Sequence, residues 1–206
     1  MLVKRAFLLL VCLIILFYPA IVPVASACGH DSFYLGAGYT QLFMYTPESR
    51  LTSTAGDLGK ISIGPGYGAN FVLGYDLCGS RWGFQMPFEF TRQKLNHTEW
   101  VNQFGSSIEA VLHLAEWQNG MDVRLVGGAG WMYLTEGQVD DRSAALGITA
   151  DFGPGVAYYF HRTKSLSMAA VLELPFRMIH YFGDHLSSGG TTIVAFPFRV
   201  SLQFGF

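Results

Sequence analysis

The chain has 206 residues, half of them hydrophobic, with 14% charged residues and a formal net charge of −2. Soluble domains carry about 25% charged residues, so this is a poor candidate for an ordinary water-facing surface, and nothing in the charge balance points to a nucleic-acid surface. Beyond residue 27 no apolar run reaches about 18 residues, which rules out a membrane helix in that part of the sequence.

At the N-terminus, Lys4 and Arg5 precede the apolar run AFLLLVCLIILFY, Pro19 and Pro23 follow it, and Ala25-Ser26-Ala27 offers a small-x-small cleavage pattern. This predicts a signal peptide over residues 1–27 and an exported domain over 28–206. Ala6 to Ala27 also has the length of a membrane anchor of about 20 residues, an alternative opposed by the two prolines and the cleavage pattern. Without Lys4 and Arg5 the 13 basic residues become 11, against 15 acidic ones, a net charge of −4. The exported part suffices for one domain.

From residue 32 onward the dominant signal is alternation with the two-residue period of a strand. Alternating segments fall near 32–46, 61–77, 82–95, 106–117, 122–136, 145–161, 165–182 and 191–206, an even number. In WGFQMPFEF the large apolar face holds Trp82, Phe84, Met86, Phe88 and Phe90, while Gly83, Gln85 and Glu89 lie opposite. In LGITADFGPGVAYYF, Leu146, Ile148, Phe152, Val156, Tyr158 and Phe160 oppose Thr149, Asp151, Gly153, Gly155 and Tyr159. The last segment places Phe196, Phe198, Val200, Leu202, Phe204 and Phe206 on one face, up to the final residue. A membrane protein built from strands must close into a barrel, because an open edge leaves backbone groups unpaired in hydrocarbon. The fold class expected is therefore all-β, an eight-stranded antiparallel up-and-down transmembrane barrel with polar and small residues inside. The connectors TPESRLTSTAGDLGK, NHTEWVNQFGS, GQVDDRSA and GDHLSSGG are longer, whereas CGSR, QNGM and HRTK are tight turns.

This pattern resembles the small eight-stranded outer-membrane barrels of the OmpA/OmpX type. The resemblance implies an outer-membrane location after export, both chain ends in the periplasm, and outer-membrane lipids and lipopolysaccharide as surroundings. It also implies the barrel-assembly machinery as a partner, since VSLQFGF with its terminal Phe206 is similar to the assembly signal of such proteins. In this topology Cys28 and Cys78 fall at the periplasmic end of neighbouring strands, in a compartment that permits disulfides, so a Cys28–Cys78 bridge is expected unless Cys28 is lipidated. Cys28 stands where a lipoprotein cysteine would, although Ala25 occupies the place where such signals usually carry Leu.

An eight-stranded barrel is just wide enough for side chains to fill it. With strands tilted about 40° and rising about 3.3 Å per residue, each residue climbs roughly 2.5 Å, which puts Glu89, Glu109, Glu173 and Arg199 at similar mid-barrel depth and Arg177 slightly higher. Unpaired charges there are costly, so these five predict an interior charge network that plugs the pore, with carboxylates in excess. MPFE at 86–89, LPFR at 174–177 and FPFR at 196–199 repeat an inward Pro, an outward Phe and an inward charge. Proline removes a ladder donor, so these strands are expected to bulge or break. Proline-interrupted strands resemble those through which some lipid-handling barrels, such as the outer-membrane palmitoyltransferase, admit acyl chains.

The function expected is structural or surface-interactive, with two alternatives: a lipid-modifying enzyme, or a conduit for small hydrophobic molecules with lateral exit. RMIHYFGDHLSSGG resembles the penultimate strand of PagL-type lipid A deacylases, which makes His180 a weak catalytic candidate. Phe182 stands where the serine nucleophile belongs, Gly183 replaces the Asn, and the last strand has no Glu, so that triad is incomplete. His185 and Ser187 lie five residues on, again without the Glu. The other histidines are scattered, and the glycine-rich stretches lie inside strands rather than at strand-to-helix turns, so no metal site, cofactor or nucleic-acid partner is expected.

Overall fold

The computed structural model describes residues 32–45, 64–77, 79–95, 99–136, 145–163, 165–182 and 191–206. The signal segment, Cys28, Cys78, His185 and Ser187 lie outside the described residues. The strands are β1 (Ser32–Tyr45), β2 (Gly66–Asp76), β3 (Trp82–Leu95), β4 (Glu99–Glu116), β5 (Met121–Glu136), β6 (Ala145–Arg162), β7 (Ser167–Glu173), β8 (Phe176–Phe182) and β9 (Thr191–Gly205). Every neighbouring pair is antiparallel, and β9 returns to β1 from Tyr34↔Gly205 to Tyr45↔Val194. The sheet is thus a closed barrel without a free edge. The final residue takes part in closure, because Phe206 N–H donates to Phe33 O at 2.8 Å.

β7 and β8 are two halves of one stave, so the barrel has eight. Both pair with β6 on one side and β9 on the other. The register is unchanged across the break: Glu173 faces Arg199 and Arg177 faces Ala195, which sets Pro175 opposite Pro197. Leu174 N–H donates toward β6, to Pro154 O at 2.9 Å, so the next residue along the stave turns its backbone toward β9. There Pro175 meets Pro197, and neither has an N–H to give. The two prolines therefore interrupt one ladder at the same rung. The β3–β4 ladder skips Met86 and Pro87 in the same way, passing from Gln85↔Glu109 to Phe88↔Ser106.

Two sequence expectations change. The fourth strand begins at Glu99 rather than 106, so most of NHTEWVNQFGS is strand and only residues 96–98 separate β3 from β4. Aromatic–cationic packing supports the extension: the Trp100 ring meets Tyr67 edge-on at 5.8 Å and takes two cations over its face. Nor is the interior polar throughout. Leu42, Met132, Ile179, Tyr181, Ile193 and Ala195 form an apolar cluster inside the end of the barrel opposite the tight turns. Between that cluster and a smaller one of Ala157, Ala169 and Val171 lies the charged layer.

The outward face carries the large apolar residues, among them Phe33, Phe71, Phe84, Phe90, Ile108, Phe152, Phe176 and Phe204. Among the described residues no helix is long and apolar enough to cross a membrane, and the crossing is made by strands. The tight turns use Gly79 and Gly120, with φ of 70° and 88°, where a side chain would be strained.

Interior glycine is required at Gly74, where an added Cβ would stand 2.0 Å from Cζ of buried Tyr34. Gly74→Ala is expected to destabilise the barrel by about 1–3 kcal/mol in urea unfolding from lipid vesicles. In Gly74→Ala/Tyr34→Ala the losses are sub-additive, because the second substitution removes the ring the methyl meets. Additive losses would show that the methyl is accommodated without displacing Tyr34.

Candidate functional site

Eight staves leave little lumen, and what fills it is set by strand parity. Glu89 and Gln85 come from β3, Glu109 and Ser107 from β4, Arg124 from β5, Asp151 from β6, Glu173 from β7, Arg177 from β8 and Arg199 from β9. The ionic groups among them are nearly inaccessible, none above 4%. Ions placed so deeply must satisfy one another.

Arg177 grips two carboxylates. Its Nη1 and Nη2 donate to Glu89 Oε2 and Oε1 at 2.6 and 2.9 Å, while Nε and Nη2 donate to Asp151 Oδ1 and Oδ2 at 2.7 and 2.9 Å. Both contacts are bidentate, the geometry in which a guanidinium fork binds carboxylate most strongly. Arg199 makes a second fork, with Nη1 and Nη2 at 2.9 and 3.1 Å from Glu109 Oε1 and Oε2. It also links the two forks through Glu89 Oε1 at 3.4 Å. Its Nε lies 3.2 Å from Glu173 Oε2, close enough for charge attraction although not aligned as a hydrogen bond.

Arg124 closes the other flank, donating from Nη2 to Glu173 Oε1 at 2.7 Å. Gln85 Nε2 donates to Glu109 Oε2 at 2.7 Å and Glu173 Oε1 at 3.1 Å, and Ser107 Oγ donates to Glu109 Oε1 at 2.9 Å. Tyr34 OH in turn donates to Gln85 Oε1 at 3.3 Å.

The network crosses the barrel's diameter, because β3 and β8, and likewise β4 and β9, stand on opposite walls. Glycine makes the span possible: Glu89, Glu109 and Glu173 each have a glycine as cross-strand neighbour, at Gly105, Gly128 and Gly155. A Cβ at Gly155 would press within 3.1 Å of Glu173 Cγ and 3.2 Å of Arg124 Cγ. Beside Glu89 and Arg177, the space bordered by Ser107, Met132 and Thr149 leaves about 0 Å3 for the centre of a water molecule.

The five residues expected at mid-barrel, Glu89, Glu109, Glu173, Arg177 and Arg199, meet in this one network. Sequence reasoning left out Arg124 and assigned Asp151 an inward face without a partner. The signal for Arg124 was present in MDVRLV, where it shares parity with Asp122 and Val126, all three buried. Its contact with Glu173 is 49 residues away in sequence, so no local pattern announces it.

Toward the tight-turn end a second cluster joins three strands. His113 on β4 holds Nδ1 2.8 Å from Asp122 Oδ2 and Nε2 3.3 Å from Asp76 Oδ1. Among the described residues no group of His, Cys, Asp and Glu is arranged to hold a metal.

His180 stands elsewhere, on the outward face of β8 near the opposite end. Its Nδ1 is 2.9 Å from Thr192 Oγ1 on β9, and its ring meets Phe182 edge-on at 4.9 Å. No carboxylate accompanies it among the described residues.

No known protein family matches the chain, and no curated protein matches it in sequence. Solved structures do match in fold. Neisserial surface protein A is 14% identical with a TM-score of 0.56, over 86% of this chain and all of that one (100%). The outer membrane protein OprG from Pseudomonas aeruginosa is 10% identical, TM-score 0.53, over 85% and 96% of the two chains. The outer membrane protein AlkL is 11% identical, TM-score 0.53, over 86% and 90%. The chain thus shares the closed eight-stranded β-barrel fold of these small outer-membrane proteins.

Removing Arg199 strands Glu109 and weakens the hold on Glu89 and Glu173. Arg199→Met is expected to cost about 3–5 kcal/mol in vesicle unfolding, and Arg199→Met/Glu109→Gln markedly less, since the second change discharges the orphaned carboxylate. Equal losses in both variants would assign the cost to packing.

Proposed function

We propose that this outer-membrane barrel is a sealed structural element of the envelope that acts through its surfaces rather than through a channel. The carrying observation is the mid-barrel network, in which every ionic side chain touches a partner of opposite charge and no water fits beside Glu89 and Arg177. The apolar cluster around Leu42 and Ile179 lies above that layer, and the Ala157–Val171 cluster lies below it. An ion entering the lumen would have to displace buried, mutually bonded charges. A lateral conduit would begin at the Pro175–Pro197 seam, but its inner side opens on Arg177 and Arg199, which are already engaged.

In planar bilayers the wild-type protein is expected to give no stepwise conductance, whereas Glu89→Ala/Arg177→Ala, which empties the centre of the network, gives discrete steps. Steps of equal size from the wild-type protein would overturn the sealed reading.

A second reading rests on His180. The structure brings a hydroxyl, Thr192 Oγ1, to its Nδ1 at the lipid-facing rim, so a base and a potential nucleophile are adjacent although on different strands. This supports a lipid-ester hydrolase in which the imidazole takes the hydroxyl proton as Thr192 attacks an acyl carbonyl, returns it to the departing alcohol as the ester C–O bond breaks, and then activates water to release the acyl group from Thr192 as a carboxylic acid. The lipid A mass spectrum of cells expressing wild type, His180→Ala, Thr192→Val or empty vector tests it. An acyl mass change present only with wild type supports the enzyme; identical spectra with the protein confirmed in the outer membrane remove it.

A further inference from the structure

Outside the mid-barrel layer, one cluster of titratable groups joins strands that are not all neighbours. His113 on β4 lies between Asp122 near the start of β5 and Asp76 at the end of β2, with Nδ1 2.8 Å from Asp122 Oδ2 and Nε2 3.3 Å from Asp76 Oδ1. Strand β3 runs between β2 and β4, and the bridge crosses it at Gly83, where an added Cβ would stand 2.3 Å from that same Asp76 oxygen. Just beyond His113 the ladder with β5 passes from His113↔Arg124 to Ala115↔Val123, a bulge of the kind that re-aims side chains. The backbone of His113 ties in the β2–β3 turn as well, its N–H donating to Arg81 O at 2.8 Å. One residue thus fastens the tight-turn ends of three strands.

The depth of the bridge leaves it open to water on one side. Outward-facing Trp82 pairs with Leu112, so His113 lies level with the turn, beyond the aromatic border of the apolar band. The side chains of His113 and Asp76 are 16% and 21% accessible, against 2% for Asp122. Protons can therefore reach the ring from the tight-turn side, while Asp122 depends on the ring. Asp122 Oδ1 is buried without a hydrogen-bond partner, so the carboxylate is held through Oδ2 alone.

Both ring nitrogens face a carboxylate oxygen. A neutral imidazole carries one N–H, so either tautomer would set a lone pair against a carboxylate, whereas the imidazolium donates to both. The other charges nearby are matched elsewhere: Arg124, opposite His113 on β5, donates to Glu173 on β7, and Glu116 pairs with Arg162 on β6. Arg81, Arg124 and Arg162 keep their charge throughout the range in which a histidine titrates. Tyr34 on β1 and Tyr159 on β6 also approach Asp76, as phenols that are neutral in the same range.

We propose that His113 is a protonated latch: as an imidazolium it fastens the tight-turn ends of β2, β4 and β5, and on losing its proton it lets them part. The inference does not depend on whether the lumen is sealed. In the unfolded chain the same histidine gives up its proton near the ordinary value of about 6.5. Above that pH the folded barrel holds a proton that the unfolded chain lacks, so the contribution of the latch is complete below it, while the aspartates are ionised, and declines as pH rises.

The test uses the full-length exported protein folded in maltoside micelles, with isotope-labelled histidine rings read by nitrogen NMR and unfolding rates measured in urea. The His113 signal is the one lost in His113→Gln. At about pH 7.5 the wild-type ring is expected to carry an N–H on both nitrogens, and in Asp76→Asn/Asp122→Asn on one. Between about pH 7 and about pH 9.5 wild type is expected to unfold about tenfold faster or more, and His113→Gln to change by less than about threefold. Should His113→Gln fail to fold, Asp76→Asn replaces it in both measurements: it marks the His113 signal by shifting it and flattens the pH dependence. A wild-type His113 ring with a single N–H at about pH 7.5 overturns the proposal. Equal pH dependence of unfolding in wild type and the variant overturns it too.

Discussion

An eight-stranded barrel encloses room for side chains and little else, and the rest of this molecule follows from that width. Inward positions must be small, pack against one another, or bond to one another across the lumen. Here three arginines and four carboxylates do the last of these in a single layer, with guanidinium forks spanning opposite walls. Each ion is costly in isolation, and withdrawing an arginine leaves its carboxylates buried with fewer partners. The glycines opposite Glu89, Glu109 and Glu173 belong to the same solution, since side chains on those rungs would occupy the space that the long charged groups need.

The outer wall answers a different demand. Lipid accepts no unpaired backbone group, so closure from β9 to β1 runs to the final residue. Among the described residues the ladder lapses at Met86 and Pro87 on β3 and at the rung where Pro175 and Pro197 face each other. A proline opposite an ordinary residue leaves one carbonyl without its donor, and two prolines facing each other leave two carbonyls and no N–H on that rung. Both prolines precede an outward Phe, and Phe176 and Phe196 pack edge-on at 5.6 Å over the interrupted rung. Aromatic cover on the lipid side thus coincides with the weakest place in the ladder.

Charge is partitioned as strictly as hydrophobicity. Lumen arginines are spent on carboxylates, Arg162 on Glu116 at the tight-turn end, and the outward pair of Arg92 and Lys94 converges on Trp100 at the opposite rim. The inner network fills the middle of the lumen with mutually paired charges, whereas the outer pair lies on the outward face. His180 and Thr192 stand on a different part of that same rim, between β8 and β9. Any activity of this protein toward lipid would thus be exercised from its outer wall.

The alternation from Ser32 to Phe206 was enough to read an eight-stave barrel, the lipid-facing aromatics and the mid-barrel depth of Glu89, Glu109, Glu173, Arg177 and Arg199, because strand parity and rise are local properties of the backbone. Local pattern also marked the prolines as places where a ladder loses a donor. It did not reveal that Pro175 faces Pro197, that Arg124 reaches Glu173, that apolar side chains fill the loop-side end of the lumen, or that Thr192 lies beside His180. Those are matters of register between strands distant in sequence, and register is chosen by the closure of the whole ring. Strand parity assigns each residue to the outer or the inner face, whereas ring closure sets which inward and which outward residues meet.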